Sequence, residues 1–433
     1  MDLSQILFFR NEATPQNKTL CFALWGIALV TLSQIFTIGF HLSTIQYYGI
    51  IALLNIVVLG LTDIHSIKAN VDMWVFWLLM WLSIIVNFFD IPQEFQSIPR
   101  TISFCLLIIG VGPFFKSPNL LFIKRYLLNI INLGLLFFTL LSFVGYVLHF
   151  LPKDNQGYYL GCIDHSMTLG AIAAFTALNC LHEIIKAKPK TPRQRFFICS
   201  FVASVLVTML AASRTSIGSL GCAAVSYLAL TFRGQYVNAV KLVLVFVIVA
   251  FIALQFTGSV TEGVESKIEY SAYHKSVIYT RQQAWADRWN EIKHHPIFGV
   301  GAHSIRYDLT TINDFSKKGQ VEPGNAWLFV FSSMGIFAFL LLFVMFFRSM
   351  SYLWFNSPPK TDGSLIFAQL CFLAVYMNAE AKITSAGSFI YIYTWLILAI
   401  AEQKKDTAKS TGLELLPLKS TPDTPQTQPE IKA

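Results

Sequence analysis

A polar segment at residues 258–322 carries most of the side chains that could do chemistry in this chain. It contains 8 Lys or Arg residues, 8 Asp or Glu residues and the pair His294-His295. The rest of the chain is apolar, because 55% of the 433 residues are hydrophobic, 13% are charged and the mean hydropathy is +0.56. A soluble protein usually has about 25% charged residues, so this composition indicates a membrane protein. A long charged loop between membrane helices indicates function, because plain connectors are short.

Arg214 is the second feature that could take part in binding or catalysis. It lies halfway along an apolar stretch of 39 residues at 194–232. An arginine at the centre of a bilayer costs roughly 2.5–3.5 kcal/mol, and the chain avoids this cost if it turns at Arg214. The turn places the guanidinium at the membrane surface, where its planar fork matches the oxygens of a diphosphate or an anionic lipid headgroup. A surface arginine without a ligand is the alternative interpretation.

Residues 280–292 of the polar segment predict an amphipathic helix. Trp285 and Trp289 recur four residues apart, and Arg281 and Arg288 flank the same face. Tryptophans on a helix next to a membrane indicate that it lies in the interface, with its arginines over the lipid headgroups. A helix that packs on the ends of other helices, with its arginines in water, is the alternative.

The remaining outward titratable groups are scattered single residues. His294 and His295 are adjacent and therefore point apart, and no further ligand lies at metal spacing, so no metal site is predicted. A single histidine in such a place is more often a hydrogen-bonded structural residue than a catalyst. The other outward titratable groups are His165, His303, Arg306, Asp308, Glu322, Glu380 and Lys382.

Apolar runs of the length that crosses a bilayer, about 20 residues, recur along the whole chain. They predict an all-α polytopic membrane protein with about 12 transmembrane helices. The second and fourth runs are short, so ten or eleven helices are also possible. The runs lie near 20–40, 47–62, 71–89, 101–115, 126–150, 166–185, 196–213, 215–232, 238–257, 325–347, 364–379 and 384–402.

The distribution of basic residues predicts the orientation. With both termini in the cytoplasm, 20 of the 32 Lys and Arg residues lie on the inner side, as the positive-inside rule requires. The polar segment between helices 9 and 10 is then a large, partly helical extracytoplasmic loop. This gives helices 1–9 in 1–257, the loop in 258–322, helices 10–12 in 323–402 and a disordered cytoplasmic tail in 403–433.

The same distribution bears on partners. The basic residues are spread over short inner loops without an aromatic stacking surface, so nucleic acid is not an expected partner. The net charge of +8 is mostly an orientation signal. Membrane lipids are the expected surroundings, and in a bacterium the location is the inner membrane.

Three short patches resemble the O-antigen ligase and O-antigen polymerase family of membrane glycosyltransferases. They are SRTS at 213–216, the stretch from Arg281 through HHPIFGVG, and GNAWLFVFSSMGIFAFL at 324–340. GCIDHSMTLGA at the sixth helix is similar to a fourth patch of the family. The resemblance implies about twelve helices, a polyprenyl diphosphate-linked glycan as donor, a lipid or glycan acceptor, and neither a metal nor a nucleotide cofactor.

The resemblance also assigns roles to residues. Arg214 and Arg281 match the family's arginines, which implies that they bind the diphosphate leaving group. Both lie where the orientation places a lipid diphosphate. The further substrate-binding residues expected around them are Arg288, Arg306, His165 and Trp285.

One position departs from the family pattern. Ligases of this family carry a histidine before the asparagine that matches Asn325, and this chain has Gly324 there. Three explanations remain open. Glu322 or His303 activates the acceptor hydroxyl, the chain is a polymerase-type member, or it has lost activity.

These features predict transfer of a glycan from a polyprenyl diphosphate carrier at the outer face of the membrane, by a polymerase or a ligase of surface polysaccharide. The alternative is a polytopic transporter or flippase for a lipid-linked or anionic substrate. A transporter is expected to have charged residues along a path near the middle of the membrane, whereas here they crowd at one face. A structural member of an envelope assembly complex is a third possibility, supported by Gly324 alone.

Overall fold

The computed structural model describes most of the chain. It covers residues 15, 17–37, 42–63, 66–92, 96–151, 159–233, 279–310 and 324–410. The predicted ninth helix at 238–257, the first part of the polar loop at 258–278, Glu322 and the tail from residue 411 lie outside the described residues.

The described residues form twelve α-helices, one 3-10 helix at Tyr307–Leu309 and one short antiparallel pair of strands. The strands are β1 (Lys68–Ala69) and β2 (Phe115–Lys116). The helices are α1 (Lys18–Ser33), α2 (Thr44–Gly60), α3 (Val71–Val86), α4 (Ser97–Leu106), α5 (Pro118–Val147), α6 (Ser166–Lys186), α7 (Pro192–Leu210), α8 (Arg214–Thr231), α9 (Tyr279–His294), α10 (Ala326–Asn356), α11 (Asp362–Tyr376) and α12 (Phe389–Ser410).

These helices bear out the all-α membrane prediction in its coarse form. Helices α5, α6, α7 and α10 are long and apolar enough to cross a membrane, and α1, α2, α3 and α11 are shorter apolar helices. The fourth predicted span differs most, because α4 has 10 residues and is roughly 15 Å long, half the thickness of the hydrocarbon core. The number of spans and their orientation stay predictions.

Local sequence signals set several helix boundaries. Ser117 and Thr191 each accept a hydrogen bond from a backbone amide of the following turn, and each is followed by proline at the first helical position. Ser213 caps α8 in the same way by accepting from the Ser216 amide. The short turn at 211–213 therefore divides the long apolar stretch where the position of Arg214 predicts a turn.

Helix α6 is the central helix of the bundle. Its residues are buried without interruption from Thr168 to Glu183. A helix that is apolar on all sides belongs inside a protein, and small residues such as those of AIAAFTA let neighbouring helices approach closely. The N-terminus of α6 is thereby held among the ends of several other helices.

Helix α10 is broken at Gly335. The φ angle of Gly335 is 83°, in the left-handed region, and a Cβ at this position would overlap the backbone carbonyl of Ile297. Only glycine fits both conditions without strain. A break in a membrane helix leaves backbone groups that must find partners inside the protein, because lipid offers none.

The run PIFGVG at 296–301 supplies those partners. Three backbone hydrogen bonds of 2.9–3.0 Å join it to both sides of the break, from Ile336 to Pro296, from Val300 to Ser332 and from Gly301 to Ser333. Two side chains at the C-terminal end of α3, Ser83 and the capping residue Asn87, strengthen the contact. Ser83 donates to the Ser333 carbonyl at 2.7 Å, and Asn87 donates to the Gly299 carbonyl at 3.1 Å. The run therefore fixes α9 and the loop against the broken helix.

The opposite end of the bundle is held by one buried carboxylate. Glu402 of α12 accepts hydrogen bonds from Lys116 at 3.2 Å, Arg348 at 2.9 Å and Ser349 at 2.8 Å. Arg348 also pairs with Asp72 at the start of α3. These contacts tie α12 to β2, α3 and α10 at the end away from α9.

Gly335→Ala is expected to lower the free energy of unfolding by at least about 2 kcal/mol, because the added Cβ overlaps the Ile297 carbonyl and alanine resists a positive φ. Thermal unfolding of the purified protein in detergent measures the change. Gly221→Ala is the matched control, since no atom lies within 4 Å of a Cβ added at that position of α8. Its midpoint should stay the same or rise slightly. Equal losses in the two variants would contradict the role assigned to Gly335.

Candidate functional site

The first turn of α6 is the centre of the candidate site. His165 caps this helix, and its Nδ1 atom accepts a hydrogen bond from the Met167 amide at 3.2 Å. The next residues, Met167 and Thr168, each contact a cation from another part of the chain. A helix N-terminus carries a partial positive charge, so extra cations there favour a bound anion.

Arg281 of α9 is the first of these cations. Its Nη2 atom lies 2.7 Å from Oε1 of Glu380 and 3.7 Å from Sδ of Met167. The Glu380 side chain is 8% exposed and the Arg281 side chain 22% exposed, so the pair is largely shielded from water. Glu380 therefore holds the Arg281 guanidinium against the first turn of α6.

Lys382 is the second cation. It follows Glu380 by two residues in the turn between α11 and α12, and its Nζ atom donates to Oγ1 of Thr168 at 3.0 Å. Two cations from distant parts of the chain thus meet adjacent residues of one helix. We call Met167, Thr168, Arg281, Glu380 and Lys382 the first-turn cluster.

Arg214 lies beside the same helix. It is the first residue of α8, and the Ser213 cap that precedes it packs on Gly170 of α6, where an added Cβ would lie 2.7 Å from the Ser213 Cβ. Gly170 is three residues beyond Met167, which is roughly one helical turn. The two arginines expected to bind a diphosphate thus belong to elements that contact one short stretch of α6.

The start of α10 completes the surroundings. Trp285 of α9 donates from Nε1 to the Gly324 carbonyl at 3.0 Å, and Asn325 caps α10 by accepting from the Leu328 amide at 3.0 Å. Gly324 has a φ of 63°, and an added Cβ would lie 3.2 Å from Cβ of Ala284. Position 324 is therefore next to the cluster, but its backbone and its neighbours leave little room for a side chain.

Arg288 departs from the expectation that it faces lipid headgroups. Its side chain is 2% exposed and pairs with the buried carboxylate of Glu291 at 2.7 Å. Burial raises the pKa of the Glu291 carboxyl, and the attraction of Arg288 opposes this shift. Trp289, which was expected on the same face, is 50% exposed. Helix α9 therefore packs through Arg288 and Glu291 and turns Trp289 outward.

Arg306 has carboxylate partners at the surface. It contacts Asp308 at 2.9 Å and Asp90 at 3.2 Å, and its backbone amide donates to Glu291 at 2.9 Å. The hydrogen bond from Arg306 lowers the pKa of Asp308. This arrangement favours a structural role for Arg306 in closing the loop after α9.

His303 is buried in the same loop. It is 4% exposed, and its ring lies 6.4 Å from the ring of Phe104, centroid to centroid. Burial lowers the pKa of His303 to about 3, with a smaller contribution from Arg100. A histidine that is neutral and enclosed at neutral pH is poorly placed to exchange protons with an acceptor in water.

The remaining polar groups in the part of the chain that the structure describes offer no metal site. Within the described ranges, no three His, Cys, Asp or Glu side chains lie together as metal ligands would. The groups gathered at α6 are cations, a carboxylate and hydroxyls, a set that suits an oxyanion such as a phosphate.

The sequence did not predict that Glu380, Lys382, Met167 and Thr168 lie together. Glu380 and Lys382 attracted notice as charged residues of an outer turn, but no spacing connects them with Arg281, which lies about 100 residues earlier. A methionine and a threonine, as at Met167 and Thr168, do not by themselves indicate a binding site. The available clue was the GCIDHSMTLGA patch, because it marked the start of α6 as a family feature.

The fold and the first-turn cluster are those of a polytopic helical membrane protein with cations gathered at the end of a central helix. Residues 199–343 match the family model described as O-Antigen ligase. This match confirms the family resemblance, and it associates the chain with O-antigen or surface polysaccharide assembly. No curated protein matches the chain. The matched segment includes Arg214, Arg281 and the break at Gly335, whereas the first turn of α6, Glu380 and Lys382 lie outside it.

Arg288→Ala is expected to lower the free energy of unfolding by about 3–5 kcal/mol, because it leaves the Glu291 carboxylate buried without its cation. The yield of monodisperse protein on a size-exclusion column and its unfolding midpoint measure this loss. Arg306→Ala is the control, since its carboxylate partners are exposed and its loss should stay within about 1 kcal/mol. A stable Arg288→Ala protein would show that Arg288 faces outward.

The burial of His303 also predicts that the free energy of unfolding depends on pH. Unfolding moves its pKa from about 3 up to its ordinary value of about 6.5, so the unfolded chain binds an extra proton between these values. Protonation of His303 in the unfolded chain therefore does not affect the free energy of unfolding above about pH 6.5. Below this pH it lowers that free energy by roughly 1.4 kcal/mol per pH unit. His303→Asn, which tolerates the positive φ of this position, should show a flatter decline of the unfolding midpoint from pH 7 to pH 5 than the wild type. Parallel declines would contradict a buried neutral His303.

Proposed function

We propose that this protein transfers a glycan from a polyprenyl diphosphate carrier to a sugar acceptor at the outer face of the bacterial inner membrane, as a polymerase or ligase of O-antigen or another surface polysaccharide. One observation carries the proposal. Arg281 and Lys382 meet on the first turn of α6, and the start of α8 with Arg214 packs one turn further along. A phosphate-binding cluster in the family's membrane setting fits a lipid diphosphate.

The reaction explains why cations are needed there. The acceptor hydroxyl oxygen forms a bond to the anomeric carbon while the bond from that carbon to the diphosphate oxygen breaks. The electron pair of the broken bond stays with the diphosphate, whose negative charge therefore increases in the transition state. Cations that are already fixed in a partly dehydrated site stabilise this charge more than they stabilise the ground state.

Glu380 has a positioning role in this proposal. It holds Arg281 at 2.7 Å, so the guanidinium is oriented before the donor arrives. The hydroxyl proton of the acceptor needs a base, and Gly324 provides none. Glu322 remains a candidate for this base, whereas burial makes His303 a weaker candidate. We add Glu380 as a candidate, because it pairs with Arg281, whose side chain lies close to Gly324.

The transporter alternative receives no specific support. Among the described residues, a charged contact between α6 and α11 joins His182 to Asp362 at the first residue of α11, whereas the contacts that Gln369 and Asn132 make farther inside their helices are neutral. Gln369 donates to Asn179 at 2.9 Å, and Tyr393 donates to Asn132 at 2.9 Å. Neutral side chains of this kind join helices in membranes.

Arg281→Ala and Arg214→Ala are expected to abolish the polymer or the glycan-capped lipid, while the amount of inserted protein stays close to wild type. Each change removes one cation from the diphosphate site. Arg281→Ala also leaves the Glu380 carboxylate without its partner, so Arg281→Gln, which keeps a donor for Glu380, is measured beside it. Gel analysis of surface glycans together with an immunoblot of the membrane fraction measures both results. Arg195→Ala, an exposed arginine at the start of α7, should leave the glycan unchanged. A normal glycan pattern in both site variants would refute the proposal.

Deletion of the gene separates the two reaction types. A product with a single repeat unit on the outer lipid indicates a lost polymerase, because chain extension is missing. Full-length chains that remain on the carrier indicate a lost ligase, because transfer is missing. An unchanged pattern would contradict both.

A further inference from the structure

We propose that Lys382 and the Tyr376 hydroxyl are two further binding residues for the carrier diphosphate, which complete the site formed by Arg281 and Arg214. This inference rests on the proposed function, since the ligand is the donor of that reaction. It adds a binding role to a turn that lies outside the segment matched by the family.

Lys382 is fixed beside Arg281 and has capacity for a second partner. Among the described residues its Nζ atom donates a hydrogen bond to Thr168, a neutral hydroxyl, and no carboxylate lies within ion-pair distance of it. An ammonium has three donors, so at least two remain for a ligand. Glu380, the carboxylate of the cluster, is engaged with Arg281.

Tyr376 provides an independent observation. It is the last residue of α11, it is 1% exposed, and its hydroxyl has no hydrogen-bond partner among the described residues. Its carbonyl accepts a hydrogen bond from the Glu380 amide at 3.1 Å, so it lies one turn before the carboxylate that holds Arg281. A buried hydroxyl without a partner costs free energy, so its presence one turn from Glu380 indicates a partner that arrives with the ligand.

The charge of the cluster indicates which anion fits. Among the described residues, Arg281 and Lys382 supply two positive charges beside the carboxylate of Glu380, and the first turn of α6 adds a partial positive charge. Arg214 is the further cation that the proposed function assigns to the ligand. This excess matches the two phosphates of a diphosphate better than the single phosphate of a monophosphate. Lys382 and Tyr376 should therefore contribute more to diphosphate affinity than to monophosphate affinity.

The test uses the full-length protein in lipid nanodiscs. Apparent Kd values for polyprenyl diphosphate and for polyprenyl monophosphate are measured side by side, for example from quenching of tryptophan fluorescence. Lys382→Gln keeps a group that can reach Thr168 but removes the charge. Tyr376→Phe removes only the hydroxyl, which breaks no hydrogen bond in the described structure, so its unfolding midpoint should not fall.

Each variant is expected to bind the diphosphate roughly tenfold more weakly, as the loss of one hydrogen bond to a charged group predicts, with a smaller change for the monophosphate. Lys293→Gln on the exposed side of α9 should bind like wild type. Tyr393→Phe is the matched tyrosine control. It loses hydrogen bonds to Asn132 and Gln369, so its unfolding midpoint should fall while its diphosphate affinity stays unchanged.

The outcomes separate this inference from the proposed function. Wild-type affinity for the diphosphate in both Lys382→Gln and Tyr376→Phe would overturn the inference and leave the function standing. Equal weakening for both ligands would also overturn it, because it would show a general loss of lipid binding. A wild-type protein that does not prefer the diphosphate over the monophosphate would overturn the proposed function itself.

Discussion

The break in α10 at Gly335 is the constraint on which the rest of the structure depends. A membrane helix that is interrupted must satisfy its backbone groups within the protein. The run 296–301 does so through backbone hydrogen bonds to Ser332, Ser333 and Ile336. Because this run follows α9 directly, the bonds that repair the helix also fix where α9 lies. The position of Arg281 thus follows from a backbone requirement of another helix.

A second constraint is the complete burial of α6. A helix surrounded by others has its ends surrounded too, so the start of α8, the α9 helix, the start of α10 and the turn at 380–388 all come close to its first turn. Residues that are 100 or more positions apart in the chain meet there, as Arg281 and Met167 do. The charged pair Arg281–Glu380 is tolerated at this depth because each charge compensates the other. Lys382 adds a further cation beside this pair, and we infer from it that the site prefers anions.

The two arginines of α9 that pair with a glutamate show that similar ion pairs can have different roles. Arg288 and Glu291 lie one turn apart on α9 and are 2% and 0% exposed, which suits a contact that packs the helix. Arg281 and Glu380 come from separate elements, keep partial exposure and border Lys382, which suits a contact that a ligand can reach. Composition and helical spacing could not separate these cases, because both arginines lie on a helix with the same charge pattern.

The sequence by itself determined the membrane character, the positions of most helices, the turn at Arg214 and the resemblance to the family that matches residues 199–343, since apolar run length, caps and short motifs are local signals. It also marked Arg214 and Arg281 before any contact was known. The tertiary structure decided which charged residues share a site. It buried Arg288 and His303, gave Asn325 a capping role and brought Glu380 and Lys382 to the first turn of α6. The physical reason is that burial and pairing depend on contacts between helices far apart in the chain, and no local pattern encodes those contacts.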